Sequence, residues 1–417
     1  MESHQSRRRF LGRLIATSAL VSHSRRPIAI QGSPPQASGQ TYWNSIRDQF
    51  SFREERVPMN AANLCPSPRS LAEEVATWTQ NIDRDCSSQN RQKFGALLEQ
   101  SRGKVADSLG VSADELALVR NTSEANNIVN SGLPLTVDDE VILWEENHPT
   151  NNVAWEVRAA RSGFHVTRVS TPPRPKDPGE LVDRFQRAIS GRTRVIALTH
   201  VSNVTGVRLP VSEICRIAHR HDIHVHVDGA QTWGALDLNL KALGCDSFTA
   251  SAHKWFLGPK EVGLLYVDAE QIDRLWPSIV APSWGNQVEP GPHGARKFES
   301  MGQRDDGALA AIGTADDFHR QIGHKVIEAR ITTLSTRLKE GLTAAGYTLV
   351  TPMNTDLCGG VCIAEVPAEN RRKLVDGLYS IHGIAGAATG GLRLCPHLYN
   401  TEEHIDRAIR GARNLRS

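Results

Sequence analysis

Between residues 116 and 227, short runs rich in Val, Ile and Leu alternate with helical segments, and this alternation constrains the fold more than any other feature of the chain. It predicts strands at Leu116–Arg120, Glu140–Trp144, Phe164–Val169, Arg194–Thr199 and Ile223–Val227, separated by helices at Ser123–Ser131, Asn151–Ser162, Leu181–Ser190 and Val211–His221. A strand that must cross through a helix to reach the next one enters the sheet parallel to it, and helices then cover both faces. The class expected is therefore α/β, with a mostly parallel sheet between helices.

The flanks differ. Pro66-Ser-Pro-Arg69 opens one helix, and an amphipathic stretch from Arg91 to Leu109 ends at Gly110. After about residue 315 the pattern changes to a long helical stretch, Lys325 to Ala345, then short strands and helices. A last helix is expected at Thr401–Arg413, with Asn400 as its cap and Glu403 three residues on. The division expected is 1–40 as signal and linker, 41–314 as N-terminal segment and large domain, and 315–417 as a smaller α+β domain. Residues 41–60 are expected to pack against that smaller domain. A chain of 417 residues can bury two such cores.

The net charge of +2 is misleading, because residues 1–40 hold six arginines and one acid, Glu2. The remainder is weakly acidic, which gives no reason to expect a nucleic-acid partner. No apolar stretch reaches the roughly 18 residues of a membrane span. The seven cysteines are scattered; Cys358 and Cys362 form the one close pair, with no second pair at zinc-site spacing, so no metal is expected. Ser6-Arg-Arg-Arg-Phe-Leu-Gly12, the short apolar stretch Leu14–Val21 and the pair Arg25-Arg26 resemble a twin-arginine export signal, and a Gly/Ser/Pro/Gln-rich linker follows. That resemblance implies the twin-arginine export machinery as a partner and a periplasmic or extracellular location. Export of a folded chain would allow a cofactor to be loaded first.

Two segments carry the chemistry: Asp228-Gly-Ala-Gln231, closing one apolar run, and Ser251-Ala-His-Lys254, following the next. With them the chain resembles the class V aminotransferases of pyridoxal 5'-phosphate (PLP) fold type I, from about residue 55 to the C-terminus and most closely over 196–267. That family includes isopenicillin N epimerases, cysteine desulfurases, kynureninases and carbon–sulfur lyases. The likeness is greatest to the epimerase-like proteins and related lyases. It implies a seven-stranded sheet, PLP as cofactor and a homodimer with its active site at the interface.

Residue by residue, the resemblance implies Lys254 as the Schiff-base lysine and the base at Cα, and Asp228 as partner of the ring nitrogen. Gln231, one helical turn onward, would donate to the phenolic oxygen. Thr122 and Ser123, at a helix start, with Ser251 and His253, would hold the phosphate. His148 would stack on the ring and move protons. Asn203 would reach the ring oxygen or the substrate carboxylate, which Arg393 would clamp. Gln303, in Gly302-Gln-Arg-Asp305, would reach the phosphate of the neighbouring subunit. The ordinary alternatives are a surface lysine or arginine, helix caps at Asp228, Thr122 and Ser123, a core histidine at 253, a loop histidine at 148 and a turn asparagine at 203. Arg296 and Lys297 are either contacts for a second substrate carboxylate or a solvated charged loop.

The family's desulfurases carry a nucleophilic cysteine some residues before the clamp arginine. Ile381–Gly391 holds none, so the resemblance points away from persulfide formation. Epimerase, lyase and aminotransferase outcomes share their first steps, and the expectation ranks epimerase or lyase above aminotransferase. A non-catalytic protein that binds PLP or amino acids is the rival of another class.

Overall fold

The computed structural model describes residues 39–172, 174–281 and 293–416; the export-signal motif lies outside them. The chain begins with α1 (Gln40–Arg47), β1 (Val57–Pro58), α2 (Arg69–Arg84) and α3 (Ser88–Leu109). The alternating region follows: β2 (Leu116–Val119), α4 (Thr122–Gly132), β3 (Glu140–Trp144), α5 (Pro149–Ser162), β4 (His165–Val169), α6 (Pro178–Ala188), β5 (Thr193–Thr199), α7 (Val211–His219) and β6 (His224–Asp228). Then come α8 (Leu240–Leu243), β7 (Ser247–Ser251), β8 (Gly263–Val267), α9 (Asp306–Ile322) and α10 (His324–Ala344). The chain closes with β9 (Cys362–Ala364), α11 (Ala368–His382), β10 (Ile384–Ala385), β11 (Leu392–Leu394) and α12 (Glu402–Asn414).

Seven strands form the main sheet in the order β2-β8-β7-β6-β5-β3-β4. Every neighbouring pair is parallel except those made by β8, which runs antiparallel to both β2 and β7. Alternate residues feed two cores. Leu116, Leu118, Ile142, Ile196, Val225 and Val227 face one, with Val105, Leu181 and Ile214 from the helices. Ala117, Val119, Val141, Leu143, Val195 and Ala197 face the other, beneath Ile128, Val129 and Trp155 of α4 and α5. Burial on both faces explains the near-continuous apolar runs in the sequence.

The smaller domain pairs β9 with β11 antiparallel and packs α10, α11 and α12 around Leu334, Leu338, Leu378 and Ile405. The N-terminal segment joins it physically: β1 lies parallel to β10, with Val57 opposite Ile384, and Val57 and Met59 enter the same core. One detail departs from expectation. The cap of α12 is Thr401, whose hydroxyl accepts from His404 N–H while His404 Nδ1 accepts from Thr401 N–H. Asn400 is already committed, donating to the Pro58 carbonyl and accepting from His397 N–H.

Candidate active site

The expected site residues gather where β2, β3, β5, β6 and β7 end, at the C-terminal edge of the parallel strands, where α/β folds place their ligands. Asp228 is the last residue of β6 and is buried. Its Oδ1 accepts from Ala230 N–H and its Oδ2 from Asn126 Nδ2, each at 3.0 Å. The next residue must be glycine: a Cβ on Gly229 would lie 1.8 Å from the Phe248 ring. Gln231 sits in a tight turn closed by Thr232 and Trp233 N–H on the Gly229 carbonyl, not in the helix expected there. Trp255 Nε1 donates to Gln231 Oε1 (2.8 Å) and Gln231 Nε2 donates to the Ala62 carbonyl (3.1 Å). The amide is thereby oriented, with one N–H left over.

Lys254 follows β7 by one turn and is half-buried. Its Nζ makes no hydrogen bond among the described residues. Burial chiefly lowers its pKa; the Asp228 charge opposes this, Arg393 adds to it and Cys65 opposes it. A neutral fraction of amine is what a nucleophile or base requires. His148 feels Lys254, Asp228 and Arg393 as well, so the four side chains share one electrostatic neighbourhood. Burial lowers the His148 pKa most, then Lys254, with Asp228 opposing and Arg393 reinforcing. His148 caps α5, its Nδ1 accepting from Thr150 N–H at 3.2 Å. The neutral ring therefore carries its proton on Nε2.

At the start of α4, Ser251 Oγ accepts from Thr122 N–H (2.8 Å) and shares a hydrogen bond with Thr122 Oγ1 (2.7 Å). Asn121 caps the helix through Glu124 N–H, and Ser123 N–H keeps no partner among the described residues. A free amide and two hydroxyls at a helix N-terminus form an anion cradle. Gly263 lets Asn121 approach, since a Cβ there would meet Asn121 Cα at 2.9 Å. Burial and the Lys254 and Lys260 charges push the His253 pKa down to about 4, so its ring is neutral.

Arg393, from β11, is buried. Its Nη1 donates to the Asn203 carbonyl and its Nη2 to Asn60 Oδ1, both at 3.1 Å. Arg393 Nε and Asn203 Oδ1 are buried without partners. Such orphaned groups cost free energy unless a ligand completes them.

Some expectations fall elsewhere. Gln303 is exposed, accepting from Arg91 and donating to the Arg304 carbonyl, and within one chain it touches none of the other site residues. Arg296 binds Glu99 and Asp114, and Lys297 is buried with Nζ on the Ile272 carbonyl (2.6 Å). Neither is free for a second carboxylate. The sequence reading missed Asn60, Trp255 as the orienter of Gln231, and Asn126. Asn60 lies in a segment without a motif, and the signal for Asn126 was a polar residue on the buried side of α4.

The family model for aminotransferase class V matches residues 69–407. Isopenicillin N epimerase from Streptomyces clavuligerus is 31% identical over 382 residues, covering 88% of this chain and 96% of that protein. A probable cysteine desulfurase from Methanothermobacter thermautotrophicus is 30% identical, covering 68% of this chain and 71% of its own length. Among solved structures, a lysine-to-alanine mutant of C-DES with glycine linked covalently to its PLP cofactor superposes with a TM-score of 0.80 at 24% identity, covering 88% of this chain and 98% of that one. The apo cysteine desulfurase of Thermococcus onnurineus also reaches 0.80 at 22% identity, covering 89% and 97%.

Proposed function

Because this chain belongs to the class-V aminotransferases, a PLP-dependent family, we propose that it is an enzyme acting at Cα of an amino acid or amino-acid conjugate, by epimerase-type or carbon–sulfur lyase chemistry. The observation that carries this reading is the convergence of an unpartnered Lys254 amine, the buried Asp228 carboxylate and a buried Arg393 with an orphaned donor. The residues present fit the cofactor. Lys254 would hold its aldehyde carbon and Asp228 its ring nitrogen. Thr122, Ser123, Ser251 and His253 would hold its phosphate, Gln231 and Asn203 its phenolic oxygen, and His148 would lie on its face. When bound, PLP supplies a carbonyl that condenses with amines and a ring that accepts the electron pair released at Cα.

The chain's own groups do the rest. Arg393 and Asn203 orient the substrate carboxylate, which fixes the bond to Cα that breaks. Lys254 Nζ, with its lowered proton affinity, takes the Cα proton. His148 supports one choice: as a neutral imidazole it is a poor acid for the face opposite Lys254. A two-base inversion is thereby disfavoured against loss of a β-sulfur substituent, or against inversion by Lys254 alone.

Persulfide formation is set aside on accessibility. Residues 381–391 contain no cysteine. Cys65, which senses Lys254, is buried beneath Tyr399 with its thiol pushed up to about 12 by burial. The working unit is a homodimer in which Gln303 of one chain serves the phosphate of the other; its exposure supports this. Export by the twin-arginine route to a periplasmic or extracellular location rests on the Ser6–Gly12 motif.

The test is incubation of the PLP-loaded protein with L-amino acids and cysteine conjugates in deuterated water, followed by mass spectrometry and chiral analysis. One deuterium at Cα with inversion identifies an epimerase, a shortened carbon–sulfur skeleton a lyase, and a keto acid an aminotransferase. Binding without exchange or product would overturn the proposal in favour of a non-catalytic binding protein.

A further inference from the structure

On the α4 side of the sheet, the two central strands break the apolar rule. Val225 and Val227 of β6, and Phe248 and Ala250 of β7, fill the core on the opposite face. On the α4 face the same strands present His224, His226 and Asp228, and Ser247, Thr249 and Ser251, all buried. Six polar side chains in the middle of a covered sheet are costly unless fully hydrogen-bonded, and they displace aliphatic residues that would pack there at no such cost.

Ser251 bonds Thr122; the hydrogen bonds of the other five have one sense. Asp228 accepts from Asn126 Nδ2 (3.0 Å), so the Asn126 oxygen must take the other bonds. It accepts from Thr249 Oγ1 (2.6 Å) and from His226 Nε2 (3.0 Å). His226 is thus protonated on Nε2, and its Nδ1 accepts from Ser247 Oγ (2.8 Å), which in turn accepts from His224 Nε2 (2.9 Å). Burial holds the His226 pKa down to about 3, so the ring is neutral and the sense of the chain does not change with pH in the ordinary range. Each hydrogen bond of the series donates toward Asp228. Aligned hydrogen bonds polarise one another, so the far members strengthen the last donor.

We propose that Asn126, locked by His226 and Thr249, is a positioning residue for Asp228 that decides where the proton between this carboxylate and the cofactor's ring nitrogen resides. This rests on the reading of Asp228 as the ring-nitrogen partner. A donor on Oδ2 is a partner for the charged carboxylate, and a carboxylate so bonded leaves the proton on the ring. Without that donor the charged form loses a partner, the proton is drawn toward the carboxylate, and the ring becomes a weaker electron sink. Asn126 touches neither substrate nor cofactor in this scheme.

The test uses holoenzyme loaded with PLP carrying 15N at the ring nitrogen, read by solid-state NMR, with thermal melts of each variant. The wild type is expected at the protonated end of the 15N range. Asn126→Leu should move the resonance toward the unprotonated end and slow Cα deuterium exchange roughly 10- to 150-fold, the range for one hydrogen bond to a charged group; His226→Leu, which removes one of the two locks on Asn126, should do the same by less. His226→Gln, which keeps an N–H near the Nε2 position, should restore both. Thr249→Val, which removes one of the two locks at nearly constant volume, should give a smaller shift in the same direction and keeps the test available if Asn126→Leu does not fold. Folded Asn126→Leu or Thr249→Val holoenzyme with a wild-type resonance would overturn the proposal, as would equal shifts in His226→Leu and His226→Gln. Asp228→Asn separates the two levels. If it moves the resonance while the network variants do not, the network role fails alone; if it has no effect, the reading of Asp228 fails with it.

Discussion

Arg393→Lys probes the substrate end of the site while keeping the positive charge. A guanidinium has five N–H donors, and two are already spent at 3.1 Å, on the Asn203 carbonyl and Asn60 Oδ1. Three remain, including the buried and unpartnered Nε, enough for a two-pronged grip on a carboxylate. An ammonium has three donors. If two follow the old partners, one is left, and the second bond to the carboxylate is lost. A hydrogen bond to a charged group contributes about 1.5–3 kcal/mol, which corresponds to a roughly 10- to 150-fold fall in kcat/KM. The assay is Cα deuterium exchange on an amino-acid substrate and on its primary amide, which lacks the carboxylate. Arg393→Lys should penalise the acid by this factor and the amide by less than threefold or so, with the PLP absorbance retained. Equal losses on acid and amide, or no loss on the acid, would refute the clamp and leave Arg393 as a structural group between domains.

Three further perturbations test other parts of the structure. Lys254→Ala should abolish the visible absorbance of the holoenzyme and all Cα exchange; an unchanged spectrum would mean that another lysine holds the cofactor. Gly229→Ala should lower the melting temperature and PLP retention together, because its Cβ would lie 1.8 Å from the Phe248 ring and force overpacking of about 1–3 kcal/mol or more; a wild-type melt would contradict the close approach. Burial pushes Asp316 up to about 7, with Ser108 its main opposing partner. The folded carboxyl then keeps a proton that the unfolded chain releases near pH 4, and stability should fall as pH rises from about 4 to 7, by a few kcal/mol in order of magnitude. Asp316→Asn should therefore gain in melting temperature over the wild type as pH rises from 5 to 8, and a gap independent of pH would refute the assignment.

The large sheet was legible because strands buried on both faces must be apolar throughout, and few other patterns read that way. Lys254 and Asp228 stood out for a different reason: Asp228 ends β6 and Lys254 follows the end of the neighbouring β7 by three residues. The same strand logic concealed the network beneath them. Read as a run, Ile223-His-Val-His-Val227 looks like an apolar strand with two blemishes, yet the two histidines lie on one face with Asp228 and belong to a single hydrogen-bonded series. Sequence spacing gives the shared face, but not the asparagine on α4 that meets it. Asn60 was illegible because its role depends on β1 pairing with β10, more than three hundred residues away. The cap of α12 was misassigned by one residue because Asn400 has better-buried partners than the helix end.

The two ends of the site are built differently, and the difference bears on specificity. The groups proposed for the cofactor come from residues 121–254, at the strand ends of the main sheet and the start of α4, and hydrogen bonds from α4 orient Ser251 and Asp228. The groups proposed for the substrate carboxylate are assembled from three regions: Asn60 of the N-terminal segment, Asn203 after β5, and Arg393 of the smaller domain. Arg393 holds its place only while the smaller domain is docked, since its two Nη partners lie outside β11. Changes in residues 381–391, which lead into Arg393, should accordingly alter which bond at Cα or Cβ breaks while leaving PLP retention as it is.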